Sequence, residues 1–115
     1  MSAIVNITVE NDADFYRAFQ YQTVSGVPID LTGSALEMML RWSAADETAV
    51  LRLATDTGEF VLTDPVHGTF TLLISQSKLE QLALGTYDHS NIMSLGSGKT
   101  KIWSGQLTIN AGATR

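Results

Sequence analysis

The chain has 115 residues, the length of one domain, and its apolar fraction of 44% suits a packed core and argues against disorder. With 7 basic against 12 acidic residues the formal net charge is -5, so the cationic excess that holds nucleic-acid phosphates or anionic membranes is missing and neither is expected as a partner. Cysteine is absent, which removes disulfides, thiolate metal sites and cysteine nucleophiles together.

The opening residues Met1 to Glu10 carry no basic n-region, and no stretch approaches the roughly 18 apolar residues of a membrane span. Synthesis in the cytoplasm is expected. No repeat at a period of about 20 to 50 residues and no linker-like run interrupts the chain. Residues 1–115 are therefore expected to form a single domain.

The dominant period is two, the strand period, in which successive side chains point to opposite faces. Val5, Ile7 and Val9 share one face of a first strand that ends at the turn-prone Asn11-Asp12-Ala13-Asp14. A second strand is predicted over about 14 to 23, with Phe15, Phe19 and Tyr21 on the same parity as Arg17. That charge must pair, lie at the edge of the core or mark a β-bulge. Ser25 to Gly33 is rich in turn formers and connects strands. Leu36, Met38, Leu40 and Trp42 then fall on one face of a strand near 34 to 43.

Shorter strands are predicted at Ala49 to Ala54, Phe60 to Thr63 and Thr69 to Ile74, with turns at Asp64-Pro65 and His67-Gly68. The period shifts from Ser77 to Leu84. Ser77 and Glu80 match a capping box and Gly85 a C-terminal stop, so one short helical turn is expected. Two last runs, about 86 to 95 and 100 to 109, read as a hairpin joined by Gly96-Ser97-Gly98-Lys99.

About seven or eight short strands with one helical turn late in the chain predict an all-β, antiparallel immunoglobulin-like β-sandwich. Tyr87, following Leu84-Gly85-Thr86, stands where such sandwiches place a tyrosine corner, and His89 stands where antibody domains carry their second cysteine. Apolar packing from Trp42, Trp103 and the phenylalanines must then replace the inter-sheet disulfide. Val5, Ile7, Phe19, Leu36, Leu40, Phe70, Leu72, Tyr87, Trp103, Leu107 and Ile109 are expected to be largely buried.

Gly96-Ser97-Gly98-Lys99-Thr100 ends like a phosphate-binding loop, but the pattern needs glycine where Met93 stands and a helix where Thr100 to Ile109 alternates as a strand. It is read as a hairpin loop. His67 and His89 are the only histidines. Asp88 and His89, adjacent in a strand, point to opposite faces, so neither histidine is assigned a catalytic role. Glu10, Asn11, Asp12 and Asp14 could offer oxygen ligands to calcium, but they match no EF-hand spacing and are read as a turn. Trp42 and Trp103 could stack on sugars if exposed; their parity places both in the core. No catalytic, cofactor-binding or metal-ligating residue is assigned, and no enzymatic activity is expected.

One resemblance goes further. Phe15, Arg17 and Phe19, then Gly26, Pro28, Asp30, Leu31, Thr32 and Gly33, then Gly68, Leu84, Gly85, Tyr87 and Gly105 form a succession that resembles the immunoglobulin-like domains of tailed-phage and prophage virion proteins. Among these it is similar to the N-terminal domain of the phage baseplate upper protein. The run Pro28-Ile29-Asp30-Leu31-Thr32-Gly33 is its most distinctive part. The resemblance implies a structural or adaptor component of the virion, in the tail, baseplate or head-tail region, working by contact with other virion proteins or with itself as a homo-oligomer. It implies no catalytic residues. The alternative is a small ligand-binding module, most plausibly for carbohydrate, using loops at one end of the sandwich. Ala3 to Val9 carries no charge, which makes it a candidate edge for pairing with another chain.

Overall fold

The computed structural model describes residues 3–23 and 25–114. Nine strands appear among them: β1 (Ala3–Ile4), β2 (Ile7–Glu10), β3 (Phe15–Gln20), β4 (Ala35–Arg41), β5 (Leu51–Ala54), β6 (Phe60–Asp64), β7 (Thr69–Ile74), β8 (Gly85–Leu95) and β9 (Gly98–Asn110). A short helix, α1 (Gln76–Glu80), precedes β8, and a 3-10 turn, Pro65–His67, precedes β7.

Two sheets face each other. The larger runs β1-β9-β8-β4-β5, with β2 also on β9, and the smaller runs β3-β7-β6. The pairings are antiparallel, with one departure from expectation: β1 and β2 run parallel to β9, with Ala3 opposite Trp103 and Ile7 opposite Leu107. The two ends of the chain thus lie side by side.

The first strand also breaks in two at Val5 and Asn6. A Cβ at Gly105 would meet the Val5 carbonyl oxygen at 2.1 Å, so the bare glycine on β9 admits this kink. Two bonds seal it: the Val5 N–H donates to the Ser104 carbonyl at 2.8 Å and the Gln106 N–H to Asn6 Oδ1 at 3.1 Å.

No bulge forms at Arg17. β3 pairs with β7 in unbroken register from Phe15 opposite Ile74 to Gln20 opposite Thr69. Register shifts fall elsewhere, between Val61 and Asp64 and between Asn91 and Ile92. In the last hairpin Leu95 pairs with Gly98, leaving Gly96-Ser97 as a two-residue turn with Gly96 at φ 60°. A positive φ at the first central position alone is the type II′ pattern, which matches the twist of the flanking strands.

The helix is shorter than predicted, and its capping box does not form. Asp14, reaching over from the turn before β3, accepts the Gln76 N–H at 2.7 Å, while Ser77 bonds the Ser75 hydroxyl. A carboxylate is the stronger acceptor for a helix-terminal N–H than the hydroxyl it displaces. Gly85 opens β8 instead of ending the helix.

The core lies between the sheets. Ile7, Leu36, Leu40, Phe70, Leu72, Tyr87, Trp103, Leu107 and Ile109 are buried as expected, joined by Leu31, Met38, Leu53, Phe60, Ile74 and Leu79. Val5 and Phe19 are only half-buried. Leu31 closes one end of the core: its N–H donates to the Pro65 carbonyl at 2.7 Å, and Asp30 Oδ1 accepts the Thr32 N–H and hydroxyl beside it.

Trp42 departs from its predicted place. The alternation of β4 ends at Arg41, the chain bends, and the Trp42 side of the residue remains 48% exposed. Its ring stacks on Tyr87 with centroids 4.3 Å apart. A Cβ at Gly85 would come within 2.9 Å of that indole. Trp42 covers the tyrosine corner from outside, and Trp103 alone of the two tryptophans enters the core, against Phe19, Phe60 and Phe70.

Candidate functional site

The residues singled out for chemistry are dispersed into structural tasks. His67 Nδ1 lies 2.9 Å from Asp64 Oδ2 on an exposed turn. His89 points into the core from β8, while Asp88, on the opposite face, accepts the Ala44 N–H at 3.0 Å. Of the acidic turn, Asn11 Oδ1 accepts the Gly112 N–H, Asp12 Oδ2 the Thr114 N–H and Asp14 Oδ1 the Gln76 N–H. These oxygens tie the C-terminal segment and the helix to the turn. Among the described residues no group of three His, Asp or Glu side chains gathers as a metal site, and no helix is long and apolar enough to cross a membrane. Lys99 stands on β9 beyond the hairpin turn, exposed.

Tyr87 forms the predicted corner. Its hydroxyl donates to the Ala83 carbonyl at 2.5 Å, and burial raises its pKa above the ordinary value. Beside it on the inward face of β8 stand His89 and Asn91, a polar run within an apolar layer. Asn91 faces Trp103 across the β8–β9 pair and His89 faces Gly105. Both ring nitrogens of His89, both amide atoms of Asn91 and the Trp103 indole N–H are buried without a hydrogen-bond partner among protein groups. Burial lowers the His89 pKa; the carbonyls of Gln106 and Val5 and the Asp88 charge oppose that shift without cancelling it. The inward parity of Tyr87, His89 and Asn91 was a signal present in the sequence.

The feature best suited to contact is the open side of the sandwich. There β1 and β3, the edges of the two sheets, leave a cavity of about 310 Å3 between them. Val5, Phe19, Tyr21, Phe70, Ile102 and Trp103 line it, so it reaches the central aromatic cluster. This is why Val5 and Phe19 are only half-buried. The uncharged run Ala3 to Val9 does lie at a sheet edge, as expected.

The two outer faces differ in character. On the larger sheet a groove of about 240 Å3 is lined by Glu37, Arg41, Asp88, Ser90, Lys101 and Ser104 among others. On the smaller sheet Tyr16 of β3 pairs with Leu73 of β7, and both are exposed together with Val61. The exposed rings of Tyr16 and Trp42 sit on different sheets and share no platform of the kind that stacks on sugars.

No protein-family profile matches the sequence, and no curated protein matches it. The fold has a counterpart among solved structures. The chain is similar to the N-terminal domain of phage TP901-1 ORF48, with a TM-score of 0.54 over 92% of this chain and 85% of that one, at 14% sequence identity. The resemblance read from the sequence therefore stands at the level of the fold.

Proposed function

We propose that this protein is a structural or adaptor component of a phage or prophage particle, acting by protein–protein contact and not by catalysis. The observation that carries the reading is the structural likeness to a phage protein domain over 92% of the chain. The open edges of the sandwich support it, since unpaired edge strands are templates for a neighbouring chain. Its partners are other virion proteins, with self-association as a further mode, and its place is the virion.

The test is made on particles. Mass spectrometry of phage purified from an induced host should find the protein at a fixed ratio to the major tail or head proteins, and deleting its gene should reduce infectious particles until the gene is restored. A protein missing from purified particles, with infectivity unchanged by the deletion, would refute the proposal.

A further inference from the structure

We propose that the open side of β3 receives an extended segment of another virion protein, which pairs there as a fourth strand of the smaller sheet. The proposal rests on the reading of this protein as a virion component that works by contact, and it names the place and chemistry of one contact.

The topology leaves the position free. Immunoglobulin-type sandwiches of the constant kind put four strands in this sheet, the first of them beside the second. Here the N-terminal strands pair with β9 in the other sheet, so β3 has a neighbour on one side only. The Tyr21 N–H donates to the Gly68 carbonyl at 2.8 Å, toward β7. Strand alternation then aims the N–H and C=O of Tyr16, Ala18 and Gln20 at the open side.

The side chains say what would fit. A strand laid beside β3 sets every second side chain over the cavity lined by Phe19, Phe70 and Trp103, where an apolar residue is required. Two positions along on the same face comes Arg17. Its guanidinium lies 5.1 Å from the Phe19 ring centre and makes no ion pair among the described residues. An inward-pointing charge repels an all-apolar strand. It admits one that carries a carboxylate at that level, so the incoming segment has an aliphatic and an acidic residue two positions apart.

A second copy of this chain offers no such pair on an unbroken edge. β1 and β2 hold no acid before Glu10, which faces away from the core; β5 has Arg52 as its charge, and β6 reaches Asp64 only past its register shift. The occupant is therefore a different polypeptide.

The test uses the full chain and a fluorescein-labelled synthetic peptide that alternates threonine with, in order, valine, valine, glutamate and valine. Anisotropy should show saturable binding in the micromolar range. Ala18→Pro removes an N–H on the open side alone and should weaken binding by about tenfold or more. Arg17→Glu should do the same, with binding regained when lysine replaces the peptide's glutamate. Melting temperatures near the parent's would show that both variants fold. Absence of saturable binding up to about 1 mM, or binding indifferent to both substitutions, would overturn the proposal. Self-association of the chain that Ala18→Pro abolishes would overturn the choice of a different polypeptide. Each of these results is independent of whether the protein is found in particles.

Discussion

The carbonyl oxygen of Val5 occupies the space above Gly105, 2.1 Å from where a Cβ on that residue would stand. The contact is with backbone, which cannot rotate aside. Gly105→Ala must therefore push the N-terminal strand off β9, at a cost of about 1 to 3 kcal/mol by the ordinary scale of overpacking. Denaturant unfolding should show a lowered midpoint. An unchanged midpoint would mean that the kink at Val5 and Asn6 is not held against Gly105 in solution.

The tryptophans should separate by position. Trp103 is buried among Phe19, Phe60 and Phe70, and truncating it or Phe70 to alanine should cost about 3 to 5 kcal/mol. Trp42 is half exposed with one stacked neighbour, and Trp42→Ala should cost about 1 kcal/mol. Equal losses for Trp42→Ala and Trp103→Ala would contradict the arrangement.

Stability should fall with acid in two stages. His89 is depressed below its ordinary 6.5 by burial, so the unfolded chain binds more protons than the folded one as the pH drops through that value. Its contribution is full above pH 6.5 and is lost on the way down to the folded pKa. For Glu59, burial raises the pKa, but Lys78, the Thr57 hydroxyl and the Ala54 N–H together bring it below its ordinary 4.5. That contribution is present above pH 4.5 and is lost below it. Melting temperature measured against pH should show both declines, and His89→Leu should flatten the upper one while leaving the lower.

Nucleotide binding should be absent. The phosphate-binding loop requires a helix after its threonine, and Thr100 lies inside β9, paired with Met93. Titration with ATP or GTP should give no saturable signal. Saturable binding abolished by Lys99→Ala would overturn this.

The strands, the final hairpin and the tyrosine corner were legible because each is written locally: period-two alternation, a Gly-Ser turn, and a tyrosine that bonds four residues back along the chain at Ala83. What escaped was set by distance in sequence. Parallel pairing of Ile7 with Leu107 joins residues with no local pattern in common. The helix cap likewise came from Asp14, on another element, where the nearby Ser77 and Glu80 had suggested a local solution. Trp42 followed the parity of β4 in sequence, but the strand ended one residue before it. The open side of β3 was unreadable for a further reason, since a missing neighbour leaves no mark on the residues that lack it, except in the unexplained parity of Arg17.

The parallel seam between β2 and β9 also has a mechanical meaning. A chain pulled by its two ends loads the start of β1 and the finish of β9 in opposite directions along the strand axis. The hydrogen bonds from Ile7–Leu107 to Glu10–Asn110, and those of Ala3 and Ile4, then bear the load together in shear. A hairpin pulled from its open end gives way one bond at a time; this seam must slip all at once. Resistance to forced unfolding is governed by the unfolding barrier and not by equilibrium stability, so a domain tied in this way can transmit tension while remaining only ordinarily stable to heat.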